Sequence, residues 1–563
     1  MLYTNIKLAV PEGARYERNP DCKVGPYLRY RVESYRDAKG RKKHKRLTIG
    51  KIMVDETVGQ EYFCPNDTYY TEILKQPVPE NATGKKRGRA RKAVPEPEPV
   101  PYSEKNSPLA FGYMMACLSI VRELGLDKML EDSFGSLAMP IITAASFFAA
   151  GAPGGLTNID HFTEKNMCFT SKVMTSSDLS ELYSNLNAPL RNDFFRKWIE
   201  KCRENDFICY DVTSISCCSE RIPLISYGYN RDKEQLPQFN FGMFCTIKTG
   251  MPLYFCPYNG SINDFTNLPY VIDNARNAGI KDTDHLTLVM DGGFSTIETI
   301  EKARDHGFDL IVGAPCDFGV KIRERLLAWD HGSHREDKLI LLSEETIRCH
   351  EESFSVGRVK TRLLLFRSPQ STLREETSLT TLVNRLHAEL NDRTKISDKA
   401  ARDYEPFFRI AINREDGSFT YERDDDMFKT ALSLCGSFAL FCTRQELDCE
   451  EVLDLYRRKD CVEKAFGALK NDILNERLRT HSVETLNGKL FLAFIGLIIR
   501  KTFEAKLKQY LKKNRMGLDS ALDRLGDILC QKRNGTWHLI KAMTKQQREL
   551  SEILNLPIDR LAQ

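Results

Sequence analysis

The sequence lacks several patterns that would assign it to a protein class at once. None of its 17 cysteines forms a CxxC pair, which argues against a structural zinc site of the usual spacing. It opens without a secretory signal pattern, so we expect reduced thiols in a cytoplasm rather than a disulfide framework. Its 10 histidines are scattered, and the one close pair, His331 and His334, is typical of a loop surface rather than a metal site.

Long hydrophobic runs are also missing. The two most apolar stretches, residues 136–152 and 490–499, are shorter than a comfortable membrane span, and Pro140 interrupts the first. We therefore expect both stretches to form buried helices, and we expect no membrane partner.

Charge is nearly balanced over the whole chain, at +4, but it is unevenly distributed. Two densely basic runs, "KGRKKHKR" (39–46) and "KKRGRARK" (85–92), lie in the first hundred residues. Such runs suit a polyanion such as DNA or RNA, or they form a solvated tail.

The pattern of the chain predicts several domains, since 563 residues are too many for one core. Near the start, β-prone runs flank "DAKG", a plausible hairpin turn. After residue 205 the order is strand, strand, strand, helix, strand, helix, strand, which predicts a mixed sheet with helices on its faces. We predict a basic N-terminal domain with strands at 1–78, followed by a basic and Pro-rich linker at 79–106 and a helical domain at 107–204. The core would lie in two parts, at 205–315 and 445–510. Between these parts we predict a β-rich insertion at 316–444 with one helix near 374–393, and after them C-terminal helices at 511–563.

Two aspartates occupy comparable places in this pattern. Asp211 lies in the strand "FICYDVTS", and Asp291 ends the strand "HLTLVMD". Neighbouring strands can bring two such carboxylates within a few ångströms, where they repel unless a proton or cation intervenes. Magnesium or manganese, which prefer oxygen ligands, would bind both carboxylates and offset their repulsion. The alternative is that each aspartate only ends its strand and caps a turn.

A third acid lies in "LYRRKDCVEKAFGALKNDI" (455–473), which has a helical rhythm. At about 100° per residue, Tyr456, Lys459, Glu463 and Lys470 share one stripe of the predicted helix. A second stripe, about a quarter-turn away, is apolar and comprises Val462, Phe466, Leu469 and Ile473. The helix can therefore pack on the sheet while its flank presents an acid, two lysines and a tyrosine. A solvated salt-bridge face is the alternative.

With these motifs the chain resembles the DDE transposases of bacterial insertion sequences, in the group with a Tyr-x2-Arg-x3-Glu-x6-Lys signature. Tyr456, Lys459, Glu463 and Lys470 match that spacing, with lysine at the arginine position. "YDVTS" resembles the first-aspartate strand, "MDGGF" the second-aspartate motif, and "ISYGYNRDKEQLPQF" the Gly-Tyr-x-Arg-Asp stretch between them.

The resemblance implies a ribonuclease-H-like α/β core, interrupted by a mainly β insertion and accompanied by a small β-containing N-terminal domain and flanking helical regions. It implies that Asp211, Asp291 and Glu463 are catalytic and hold two divalent ions, Mg²⁺ or Mn²⁺, per active site. Gly292 and Gly293 would let backbone and DNA approach. The residues expected to contact DNA are Tyr456, Lys459, Lys470, Arg457 and Arg231 near the cut, and Arg87 and Arg89 in the basic linker.

The resemblance also implies a function. We expect double-stranded DNA as partner, cut at terminal inverted repeats and joined to target DNA by a homodimer, in a bacterial cytoplasm close to the nucleoid. Two alternatives remain open from the sequence: a DNA-binding protein derived from a transposase, and a nuclease of the same fold that cuts without joining strands.

Overall fold

The structure, a computed structural model, consists of two compact units, Met1–Glu98 and Pro99–Gln563. It describes residues 2–557 except for 20–25, 37–41, 55–59, 80–83, 86–106, 153–155, 203–206, 218, 220–221, 231, 281–285, 317, 331–336, 343, 414, 475–476, 479, 481 and 534–535. The predicted turn "DAKG", the histidine pair 331 and 334, and most of the predicted linker therefore lie outside the described residues.

The N-terminal unit is built on a four-stranded antiparallel sheet. The strands of this unit are β1 (Leu2–Tyr3), β2 (Tyr16–Asn19), β3 (Tyr27–Arg36), β4 (Lys42–Val54), β5 (Glu61–Pro65) and β6 (Gly84–Lys85). The sheet order is β2-β3-β4-β5, and β1 pairs with β6. Leu28, Ile49, Ile52 and Phe63 form the buried core of this unit. Part of the first basic run, from Lys42, lies on β4.

The second unit contains one large mixed sheet, as the sequence predicts. The first five strands are β8 (Phe207–Cys217), β9 (Gln238–Thr246), β10 (Pro252–Asn259), β11 (Thr287–Met290) and β12 (Asp309–Ala314). Strands β8, β11 and β12 are parallel, whereas β8, β9 and β10 form an antiparallel meander. Strands β9 and β11 are buried along their whole length, as expected for strands covered on both faces. Helices α7 (Asp264–Asn277) and α8 (Ile297–Asp305) connect these strands.

The segment predicted as a β-rich insertion extends this same sheet. Its strands β13 (Lys338–Leu342), β14 (Glu345–Val356), β15 (Val359–Arg367) and β18 (Ser437–Cys442) follow helix α9 (Gly319–Asp330) and extend the sheet to the order β10-β9-β8-β11-β12-β18-β15-β14-β13. From a later part of the chain, the short strand β19 (Arg477–Leu478) pairs with β8. The rest of the segment has a small core of its own around Val383 and Phe408. It comprises α10 (Pro369–Asn391), α11 (Asp398–Ala401), the hairpin β16 (Phe408–Ile412) and β17 (Phe419–Arg423), and α12 (Asp425–Leu434).

Helices surround a long buried helix, α15 (Val483–Asn514). The N-terminal elements of this unit are β7 (Leu109–Ala110), α1 (Gly112–Glu123), α2 (Leu126–Phe134), α3 (Ala138–Ala149), α4 (Ile159–Lys165), α5 (Ser176–Asn185) and α6 (Ala188–Cys202). Both apolar stretches noted in the sequence form buried helices, within α3 and α15. The described stretch Leu126–Ala149 is apolar enough to span a membrane by length and composition, but 67% of its most apolar 18-residue window is buried inside the fold, which is typical of core helices.

The C-terminal region is not purely helical, so that prediction was wrong in part. Helices α16 (Leu518–Gly526) and α17 (Lys545–Ile553) are separated by a hairpin of β20 (Leu529–Arg533) and β21 (Thr536–Leu539). Strand β20 also pairs with β7 from the start of the unit. Because β7 and β20 are about 420 residues apart, no local pattern in the sequence indicates that they pair.

Close packing of α15 on α5 gives a first prediction. A Cβ at Gly488 would lie 2.2 Å from the Tyr183 carbonyl oxygen. We expect Gly488→Ala to push the two helices apart and lower the free energy of unfolding by about 2 kcal/mol. The matched control is Gly526→Ala, since a Cβ there meets nothing within 4 Å. Thermal unfolding of both variants checks this, and an unchanged midpoint for Gly488→Ala would contradict the packing.

Candidate active site

The register of the parallel strands brings two of the predicted acids together. Strand β11 pairs with β8 so that Val289 lies opposite Cys209. Continuing this register by two residues places Asp291 beside Asp211, on strands whose usual separation is about 4.8 Å. Asp211 is 7% exposed and lies within β8, whereas the side chain of Asp291 is half-exposed at the end of β11. The Asp211 carboxylate is thus buried in the sheet, whereas the Asp291 carboxylate is accessible to solvent.

Three glycines shape the surroundings of Asp291. Gly292 and Gly293 form a 3₁₀ turn directly after it, and a Cβ at Gly293 would meet nothing within 4 Å. Gly313 lies on the neighbouring strand β12, where a Cβ would come within 2.7 Å of the Tyr456 hydroxyl. The sequence analysis missed Gly313, although a glycine inside a strand often marks a close approach.

The third acid lies on a helical segment that crosses the sheet. It begins as α13 (Cys449–Arg458), with a capping box between Asp448 and Glu451, and continues as α14 (Asp460–Gly467) and a π-helical turn, Ala468–Ile473. The segment 455–473 is thus helical as predicted, but it breaks at Lys459 and ends in a π-helical turn. Lys459 separates the two α-helices but keeps a right-handed backbone, so the stripe of polar residues is largely preserved.

The apolar stripe of this segment packs as predicted: Val462, Phe466, Leu469 and Ile473 are all buried. Helix α14 is also tied to β8 through two thiols, Cys209 and Cys461, whose sulfur atoms are 3.5 Å apart. Packing on the sheet thus positions the polar flank that carries Glu463.

Lys459 connects the predicted acids. Its Nζ lies 3.3 Å from Asp291 Oδ1 and 3.6 Å from Glu463 Oε1, and its charge also interacts with Asp211. The Tyr456 hydroxyl donates a hydrogen bond to Asp291 Oδ1 at 3.2 Å. The Lys459 ammonium lies 5.3 Å from the centroid of the Tyr456 ring, within cation–π distance. The structure therefore brings Asp291, Glu463, Lys459 and Tyr456 into contact, with Asp211 near enough for its charge to act on Lys459.

The ionisation of this group reflects its charges. Burial raises the pKa of Asp291, but the Lys459 charge, the Gly292 amide and the Tyr456 hydroxyl outweigh it and lower the pKa below its ordinary value. Burial lowers the pKa of Lys459, and the opposing pull of Asp291, Glu463 and Asp211 raises it overall. Burial and the neighbouring carboxylates raise the pKa of Tyr456 well above its usual range. At neutral pH Asp291 is thus ionised, Lys459 is charged and Tyr456 is a neutral donor.

Two predicted DNA contacts are paired with acids that the sequence analysis missed. Lys470 Nζ lies 2.5 Å from Asp232 Oδ2, and Arg457 Nη2 lies 3.3 Å from Glu345 Oε2. Asp232 is the last residue of the Gly-Tyr-x-Arg-Asp stretch noted in the sequence, although that pattern does not indicate that it faces Lys470. Glu345, the first residue of β14, had no signal in the sequence. The other predicted contacts, Arg231, Arg87 and Arg89, lie outside the described residues.

The donor set fits a hard divalent cation by its chemistry. Carboxylate oxygens are the ligands that Mg²⁺ and Mn²⁺ prefer, and three carboxylates with one ammonium leave net negative charge at the site. Their present arrangement is not a closed cage: among the described residues no group of three His, Cys, Asp or Glu side chains is close enough to hold a metal. The Glu463 side chain, 55% exposed, is free to turn towards a cation.

Comparison with known proteins identifies the family. A family model described as "Transposase DDE domain" matches residues 203–499. No curated protein matches in sequence. One solved structure, described as a cryo-EM structure of the piggyBac transposase synaptic complex with hairpin DNA, is similar at 10% identity with a TM-score of 0.31, covering 74% of this chain and 69% of that chain. That likeness is too distant to support an argument. The family model spans more than half of the chain and includes all three acids, so the chain belongs to the DDE-domain transposase family.

Proposed function

We propose that this chain is the transposase of a bacterial insertion sequence, which cuts DNA at the element's terminal inverted repeats and joins the freed strand to a target. The observation that carries the proposal is the meeting of Asp211, Asp291 and Glu463 around the Lys459 ammonium. These acids come from β8, β11 and α14, so folding alone gives no reason to collect them at one point. The order β10-β9-β8-β11-β12 supports a ribonuclease-H-like core.

Asp211, Asp291 and Glu463 would hold two divalent ions, Mg²⁺ or Mn²⁺. When bound, such ions supply activation of an attacking oxygen and stabilise the departing 3′ oxygen of the DNA. The chain's own residues prepare the acids for that task. Tyr456 orients one Asp291 oxygen by its hydrogen bond, and Lys459 keeps Asp291 ionised.

The basic residues of the catalytic segment would bind the DNA backbone. Lys470 is paired with Asp232, whose side chain is half-exposed, whereas Arg457 is paired with Glu345, which is buried. A DNA phosphate can compete for Lys470, since an ion pair with an exposed carboxylate is worth little in water. Arg457, held by the buried acid, would present its remaining N–H groups to the backbone. We propose that the basic N-terminal domain recognises the repeats, that the linker with Arg87 and Arg89 holds DNA non-specifically, and that a homodimer brings both ends together in the cytoplasm near the nucleoid.

Loss of a single acid tests the site. We expect Asp291→Ala and Glu463→Gln each to reduce cleavage of repeat DNA about a thousandfold, since the loss of one metal ligand costs several kcal/mol of transition-state stabilisation. Asp460→Asn is the matched control, because Asp460 lies on the same helix but pairs only with Lys464 at the surface. Cleavage and strand transfer are measured on paired repeat ends with Mg²⁺, and repeat binding by gel shift.

The outcome separates three functions. Joined products in the wild-type chain support the transposase, cut products alone indicate a nuclease, and binding alone indicates a DNA-binding protein. Cleavage at the wild-type rate by Asp291→Ala would show that the site is wrongly assigned.

Lys459 gives a third prediction, on metal affinity. Its ammonium occupies the space between Asp291 and Glu463, where it repels an incoming cation. We expect Lys459→Met to bind Mn²⁺ roughly fivefold more tightly, as the removal of about 1 kcal/mol of repulsion at a solvent-screened site predicts. Titration calorimetry without DNA measures this, with Lys464→Met as control. Weaker Mn²⁺ binding by Lys459→Met would show that the lysine helps to build the metal site instead.

The N-terminal domain gives a fourth prediction. We expect a chain lacking residues 1–92 to lose affinity for repeat ends by at least tenfold, because the repeat-reading domain and the basic linker are removed together. Fluorescence anisotropy at several salt concentrations measures the loss. The same affinity in the truncated and complete chains would exclude this role.

A further inference from the structure

Two tyrosines beside the site remain unused by the proposed function. Tyr227 and Tyr229 are 71% and 83% exposed, in the segment between β8 and β9. Aromatic side chains at protein surfaces commonly pack one face of the ring against the protein. Two rings this exposed, only two residues apart, bury little surface and so contribute little to the stability of the fold. Tyrosine is enriched at binding interfaces, where its ring packs on a partner while its hydroxyl stays hydrated.

The backbone that carries these rings is held firmly. Ser226 and Gln238 exchange two backbone hydrogen bonds of 2.9 and 3.0 Å. The Tyr229 backbone carbonyl accepts hydrogen bonds from the side-chain amide of Gln238 at 2.7 Å and from the Ser214 hydroxyl at 3.3 Å. Gly228, between the two tyrosines, packs so closely on Gly260 that a Cβ would lie 1.9 Å from the Gly260 oxygen. The rings are thus presented by a fixed backbone, which lowers the entropy lost on binding.

The segment borders the candidate active site on two sides. Asp232, three residues after Tyr229, pairs with Lys470 of the catalytic segment. Tyr229 and Gly293 line one small cavity, and Gly293 is two residues from Asp291. Because two residues of extended chain span at most about 7 Å, the part of the cavity lined by Gly293 lies close to Asp291.

The cavity itself suits a flat, neutral ring. Its volume is about 170 Å³, and a cavity of about 150 Å³ is known to hold benzene. Ser214 and Asn240 line it. Because their donors are bonded to the Tyr229 and Ile262 carbonyls, their side-chain oxygens can accept hydrogen bonds from the amino group of a base. Asp264 also lines it, and its carboxylate would repel a phosphate. A nucleobase fits this lining better than the DNA backbone does.

We infer that Tyr227 and Tyr229 form a stacking platform for unpaired nucleobases at the DNA end that the active site cuts, with the cavity beside Tyr229 receiving one base. The inference rests on the proposed function. Base faces in a duplex are covered by their neighbours, so an aromatic platform selects bases that are unpaired or displaced. Cleavage creates a strand end whose terminal base pairs can open beside the acids, and the platform would hold such an opened end in register for the second step.

The test compares two DNA ends on the complete chain. One is a repeat end with a three-nucleotide unpaired 3′ extension carrying 2-aminopurine, and the other is the blunt duplex. We expect Tyr227→Leu and Tyr229→Leu each to weaken binding of the extended end about tenfold, as loss of one stacking ring predicts, with blunt-end affinity within twofold of wild type. Quenching of 2-aminopurine should be lost in Tyr229→Leu and kept in Tyr229→Phe, which retains the ring.

Two controls make the result specific. Tyr270→Leu removes another exposed tyrosine, from α7, and should leave both affinities and the quenching unchanged. Asp291→Ala should keep the quenching, since stacking does not need catalysis. Equal losses on extended and blunt ends, no quenching in the wild-type chain, or a change only in oligomeric state would each overturn the platform. A wild-type chain that binds neither end would reject the proposed function as well.

Discussion

Mutual repulsion of carboxylates is the constraint on which the site depends. Asp211 and Asp291 are placed side by side by strand register, and Glu463 is brought to them by the packing of α14 on the same sheet. Without a cation, this concentration of charge would raise the pKa of at least one acid. The Lys459 ammonium supplies that cation, within 3.6 Å of Glu463 and 3.3 Å of Asp291, and holds Asp291 ionised.

The rest of the core is arranged to hold this group still. Strands β9 and β11 are buried along their whole length, so β8 and β11 cannot slip in register without exposing apolar side chains. Gly313 leaves room for the Tyr456 hydroxyl to reach Asp291. Asp211 is therefore held in the sheet, whereas the side chain of Glu463 is half-exposed and paired with Lys459. In the proposed metal site Glu463 would be the ligand on the solvent-facing side, where DNA would bind.

Much of this could be predicted from the sequence, because the signals are local. Strand periodicity placed Asp211 and Asp291 on strands of one mixed sheet, and helical spacing placed Tyr456, Lys459 and Glu463 on one flank. What could not be predicted depends on contacts between distant segments. The break at Lys459, the pairing of β20 with β7, and the acid partners of Lys470 and Arg457 arise from such contacts. No pattern within a short window reports which acid will face a given lysine.

The proposed function requires Asp211, Asp291 and Glu463 to act together as ligands of divalent cations. The anomalous signal of manganese, in a crystal structure of the complete chain with repeat DNA and Mn²⁺, shows which side chains bind the ions. We expect anomalous peaks in contact with all three carboxylates, with Lys459 Nζ displaced from between Asp291 and Glu463. Manganese bound elsewhere, with Lys459 still bridging those two acids in the presence of DNA, would show that the three acids are not its ligands.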